Sequence, residues 1–167
     1  MTEETAARQP ERLLLSTRRE YLDALEQLIG LAQRELRILD ADLFHLQLDS
    51  TRTSDLLREF LLRGRDNRLC IAVHDTEHLR NHCPRLLELL RRFSERMFIH
   101  QTKGDATRAQ DCLVLADKRH FVRRPVQAQP RAALRLNDEM ESQAIYLRFC
   151  EIWDSSVPAV SATTSGP

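Results

Sequence analysis

The segment Leu69-Cys70-Ile71-Ala72-Val73 is apolar at every position, bounded by charged or polar residues on both sides. A strand with no polar face has to be covered on both faces, which places it at the centre of a parallel sheet flanked by helices. That requirement selects an α/β architecture, and the rest of the chain supplies matching elements. Leu13 to Leu15 and Leu36 to Leu39 are further candidate strands. Thr17 and Glu20 have the spacing of a capping box, and they precede apolar positions at Tyr21, Leu22, Leu25, Leu28, Ile29 and Ala32 that recur at helical spacing. A helix over about 53–63 stops at Gly64. Pro84 divides the stretch from Thr76 to Phe93, so a short turn comes first and a helix begins at the proline.

The second half continues with a strand at 97–100 and a polar loop at 103–109. Strands at 112–116 and 120–122 are joined tightly at Asp117-Lys118-Arg119, which predicts a hairpin. A strand at 132–136 precedes a helix capped by Asn137, with Asp138 and Glu139 in its first turn. The late strands have no room for crossovers, so the sheet is mixed and sandwiched by helices. The chain of 167 residues suits one domain at 11–156, between polar tails at 1–10 and 157–167.

Twenty-five basic and 25 acidic residues cancel, which removes any global field toward nucleic acid or membrane. The four cysteines form no C-x-x-C pair, and no leader or membrane-length apolar run is seen, so the sequence reads as cytoplasmic. His74, His78 and His82 recur every fourth residue beside Cys83, but His74 sits at a strand end and Pro84 limits the helix, so no metal site is expected. Asp40, Asp42, His74 and Asp75 end two adjacent candidate strands, where ligand crevices form in α/β sheets, and make a candidate acidic cleft. Arg119, Arg123, Arg124, Arg131 and Arg135 are the candidate contacts to phosphate or nucleic acid, although only Phe121 interleaves them.

The element order, together with Gln110-Asp111-Cys112, four apolar residues and Asp117, resembles one half-domain of the phospholipase D superfamily. The likeness spans about 12–154 and includes a closing helix with Ala144, Leu147, Phe149 and Trp153. The motif of that superfamily is His-x-Lys followed by four residues and Asp. Gln110 stands at the histidine, Cys112 at the lysine, and Asp117 retains the aspartate; Arg123 and Arg124 fall near the superfamily's glycine-serine. The resemblance implies paired motifs at a dimer interface, with one histidine attacking phosphorus and the other protonating the leaving oxygen. An amide and a thiol supply neither an ionisable imidazole nor a fixed positive charge. The sequence therefore predicts a pseudoenzyme that works by binding, as a homodimer or on a protein partner, with no cofactor. The competing expectation is a diverged hydrolase with a rearranged site of His100, Lys103 and Asp117.

Overall fold

The computed structural model describes residues 9–160. Strands β1 (Glu11–Leu15), β2 (Glu35–Asp40), β3 (Arg68–Val73), β4 (Met97–Thr102), β5 (Cys112–Ala116), β6 (His120–Arg124), β7 (Ala132–Leu136) and β8 (Ser156–Val160) form one open mixed sheet. Its order is β1-β7-β6-β5-β2-β3-β4-β8. The apolar strand β3 lies between β2 and β4, parallel to both, as its two apolar faces require. The strands on either side of this trio join antiparallel.

Helices α1 (Arg18–Leu31), α2 (Thr51–Arg63), α3 (Glu77–His82) and α4 (Pro84–Arg92) come before the hairpin, and α5 (Glu139–Asp154) follows it. Thr17 and Glu20 close the capping box of α1 in both directions. Gly64 ends α2 in an extended conformation, and its role is space: a Cβ there would collide with the Asn67 side chain. Asn67 uses that proximity to donate to Phe60 O at 2.8 Å.

The sheet separates two apolar layers. Leu25, Leu28, Phe60, Leu61 and Leu86 pack on Ile38, Ile71 and Val114 on one face. Phe149, Ile152 and Trp153 of α5 pack on Leu39, Ala72, Leu113 and Leu115 on the other. The long helix α5 covers β4, β5, β6 and β8.

Several boundaries differ from the sequence expectation: β6, expected at 120–122, runs on to Arg124, and the turn expected before Pro84 is the short helix α3. Asn137 takes a left-handed φ of 56°, and Asp138 caps α5 by accepting from Glu141 N. Val157 to Val160, expected in the C-terminal tail, pair with β4 as strand β8. An edge strand needs hydrogen bonds on one side only, so a segment with Pro158 is tolerated there. Residues 1–8 and 161–167 of the expected tails lie outside the described residues, and Gln9 and Pro10 carry no regular structure.

Candidate functional site

The motif spans β5, with Gln110 just before the strand, Cys112 at its start and Asp117 just after its end. Asp117 falls in the turn after it, at the end where β2 begins. Its carboxylate accepts from Gln33 N and Arg34 N at 2.8 Å and from Glu35 N at 3.0 Å, while its own amide donates to Glu35 O. Asp117 and Lys118 take φ values of 57° and 52°, a pair of left-handed residues that fits a tight hairpin to the sheet's twist. The aspartate thus fastens the hairpin to the α1–β2 connection.

The opposite end holds Gln110 and Cys112. Gln110 is exposed, and its carbonyl accepts from Gln127 N at 2.8 Å. Cys112 is buried against Arg124, whose Nη2 lies 3.6 Å from its sulfur. Burial pushes the Cys112 thiol up to about 12, and the Asp40 charge adds to this against Arg124. Such a thiol is neither a cation nor a thiolate at neutral pH.

Arg124 is the unexpected centre of this end. Its side chain is 2% exposed and faces that of Asp40, also 2% exposed, at 4.0 Å. The guanidinium stands 5.0 Å from the ring centroid of Tyr21. A charge sealed this deeply survives only through its partner. Asp40 also organises the loop 41–49, because its other oxygen accepts from Leu43 N at 2.7 Å and Asp42 N at 3.2 Å. Leu43 is held there at φ 71°, a conformation that a bulky residue adopts only when its surroundings enforce it. Leu43, Leu46 and Leu48 of the loop are buried in the core, while Phe44 is 57% exposed at its tip. His45 beside it contacts Arg18 Nη1, with Nε2 at 2.8 Å. Burial, then the charges of Arg18 and Arg124, holds His45 below its usual 6.5.

The expected arginine surface does not form. Arg123 and Arg124 are consecutive on β6 and face opposite sides of the sheet, as strand alternation dictates. Arg123 reaches Asp111 at 3.4 Å on the α5 side, Arg135 reaches Asp138 at 3.2 Å, and Arg119 lies in the hairpin turn at the far end. Arg131 is exposed before β7. The acidic cleft is likewise divided. Asp40 turns toward the α1 side and Asp42 accepts from Phe44 N. Asp75 accepts from Glu77 N, and His74 bonds Thr102 Oγ1 at 2.6 Å and Ala109 O at 2.9 Å. These carboxylates stabilise turns because strand ends leave free amides close by. His78 and His82 approach with ring centroids 5.4 Å apart, whereas His74 is turned away.

The rearranged catalytic trio is not assembled either. His100 stacks on Trp153 at 3.7 Å and bonds Ser156 Oγ at 2.8 Å, with burial holding it below its usual value. Lys103 is exposed, and its amide donates to Ser155 O at 2.7 Å. Asp117 is at the other end of the sheet, since Glu35 starts β2 and His100 lies level with Ala72 and Leu39.

On the α5 face, Asp111 bonds Arg148 Nη2 at 3.1 Å as well as Arg123. Burial alone would raise the Asp111 carboxyl, but the hydrogen bond and charge of Arg148, followed by Arg123, hold it below its usual 3.8. A lowered folded-state value gives stability that is complete above the unfolded value and is lost as pH falls through the folded one. Asp111→Asn should therefore lower the urea midpoint at neutral pH, and the two midpoints should converge as the pH falls from above 3.8 through the lowered folded-state value. A gap that stays constant from neutral pH to acid would contradict this.

A model of a domain of unknown function, DUF7931, matches residues 17–162. The chain belongs to the DUF7931 family. No curated protein matches it. Its fold is that of phospholipase D-like domains. Nuc from Salmonella typhimurium, described as a phospholipase D family member, is 10% identical with a TM-score of 0.65, over 92% of this chain and 100% of that one. NucT from Helicobacter pylori is 10% identical with a TM-score of 0.62, over 90% and 100%. TrmBL2, an archaeal chromatin protein with a novel mode of DNA binding, is 12% identical with a TM-score of 0.67. That likeness covers 89% of this chain, which spans 54% of TrmBL2. The DUF7931 chain therefore shares a fold, and no helix among its described residues is long and apolar enough to cross a membrane.

Proposed function

We propose that this protein is a phospholipase D-like domain with a degenerate motif, acting by binding rather than by cleaving phosphodiesters. The observation that carries this reading is the Arg124–Asp40 pair, buried beside Cys112 under the leucine-rich loop 41–49. A phosphoryl site needs cations that meet the ligand and a group that titrates near neutral pH. Here the buried cation faces Asp40 at 4.0 Å instead of the surface, and the Cys112 thiol is protonated, so the motif position offers neither an accessible charge nor a nucleophile. The exposed feature at this end is instead the ridge of Phe44 with His45 and His78, whose ring centroids lie 5.1 and 5.2 Å from that of Phe44. An aromatic tip between imidazoles suits a docking contact more than a reaction. This reading includes a two-copy assembly or a protein partner, and a regulatory role inside the cell.

Nucleic acid is a weaker candidate partner. The DNA binding of TrmBL2 supports it, while the neutral charge of this chain and the dispersal of its arginines oppose it.

The reading predicts that orthovanadate, a phosphoryl analogue, leaves the amide and Arg124 side-chain resonances of the full chain unmoved up to millimolar concentration. Saturable shifts centred on Cys112 and Arg124, abolished in Arg124→Met, would show that the site is open to phosphoryl groups.

A further inference from the structure

The two edges of the sheet are built differently. β8 ends one side with Pro158 opposite His100 and with a register shift between Ile99 and His100. A proline without an amide and an irregular ladder both discourage another strand from adding there. β1 ends the other side as a regular five-residue strand with no proline, lysine or bulge. It exposes a leucine on each face: Leu13 is 52% exposed and Leu14 70% exposed. Leu14 lies on the same side of the sheet as α5, opposite Ala133 of β7. Among the described residues this edge is open and regular, with two exposed leucines beside Glu11 and Arg12, and such an edge is a template for a further strand.

We infer that β1 pairs antiparallel with β1 of a second copy, closing a two-fold dimer with a continuous sheet of sixteen strands, twice the eight of one chain. The blocked β8 edge argues against head-to-tail addition, which would propagate into filaments, so self-pairing of the open edge is the closed solution. Side-chain parity and charge then fix the register. A two-fold axis normal to the sheet keeps each face with its like, so the residue numbers of opposed positions must sum to an even number. Centring on Arg12 sets two guanidinium groups against each other, which is unfavourable. Centring on Leu14 forfeits Glu11 and Arg12 from the ladder. Centring on Leu13 pairs all five residues, with Leu13 against Leu13, Arg12 against Leu14 and Glu11 against Leu15. The arginine stem then covers the exposed Leu14 of the other copy. Each Glu11 falls beside the start of the other copy's α1, where the positive helix end meets Arg18 and Arg19. This interface is remote from the motif, so it stands or falls apart from the proposed loss of phosphodiester chemistry.

Cross-strand neighbours in an antiparallel pair have Cα atoms about 4.5–5.5 Å apart, within the reach of a disulfide. Under mild oxidation Leu13→Cys should run on a non-reducing gel at twice the 19.4 kDa monomer mass. Leu14→Cys, opposite Arg12, should remain single. Light scattering on the wild type at high micromolar concentration should give the doubled mass, and the double variant Leu13→Lys with Leu14→Lys should give the single mass with its melting temperature retained. A monomeric wild type would overturn the inference, whether the edge is covered by this chain's own end or waits for another protein. A dimer whose Leu13→Cys variant fails to cross-link would overturn it too, because the interface would then lie elsewhere. The cysteine variant decides the matter even if the lysine variant fails to fold.

Discussion

Arg124→Ala should destabilise the protein by about 3–5 kcal/mol, the cost of leaving one partner of a buried ion pair uncompensated. Asp40 would remain at 2% exposure with no cation near its Oδ1, while its other oxygen stayed committed to the amides of Asp42 and Leu43. A domain of this size has a total stability of about 5–15 kcal/mol, so the loss is a third of it or more. The informative companion is the double variant Arg124→Met with Asp40→Asn. It removes both charges yet keeps an acceptor for the loop amides, and it should recover most of the deficit, since uncharged replacements of buried pairs are often neutral. Urea unfolding of the three proteins checks this. A cost below about 1 kcal/mol for Arg124→Ala would mean that water reaches the pair.

Asp117→Ala carries the second large effect. Three backbone amides lose a carboxylate acceptor, and bonds to charged groups contribute about 1.5–3 kcal/mol each before solvent weakens them. Alanine also sits poorly at a φ of 57°, adding about 1 kcal/mol. The expected total is about 3 kcal/mol or more at this half-buried turn. Asp117→Asn keeps one oxygen and tolerates the left-handed backbone, so it should lose less than half as much. Hydrogen exchange should accelerate at Gln33, Arg34 and Glu35 before it does in the core strands. An alanine variant within about 0.5 kcal/mol of wild type, with those amides unchanged, would remove Asp117 as the fastening of the hairpin.

Much of the architecture follows from local patterns. The apolar run in β3 fixed a central parallel strand, the Thr17 and Glu20 spacing fixed the start of α1, and Pro84 separated α3 from α4. The edge strand β8 was not legible, because Ser156 to Val160 pairs on one side only and has neither alternation nor an apolar run. At the site, the turn role of Asp117 was readable from its place after β5. The Arg124–Asp40 pair was not, because 84 residues separate two ordinary charges that meet only once β5 has paired with both β2 and β6. Arg123 and Arg124 lay beyond the strand expected at 120–122, so their alternation follows only from the extension of β6 to Arg124, and nothing local said which one faces inward. The buried leucines of loop 41–49 were visible as apolar residues, but the left-handed Leu43 depends on the Asp40 carboxylate and could not be anticipated.

The central claim is that a phospholipase D-like fold persists here without phosphodiester chemistry. Its most direct test is turnover of a chromogenic phosphodiester by the purified full chain, with His100→Ala and Asp117→Asn alongside. The wild type should show no turnover above background, because general acid-base catalysis alone contributes about 10²–10⁴-fold and the motif positions hold an amide and a buried, protonated thiol. Robust wild-type turnover that disappears in a folded His100→Ala variant would contradict this account and establish a working site around that histidine.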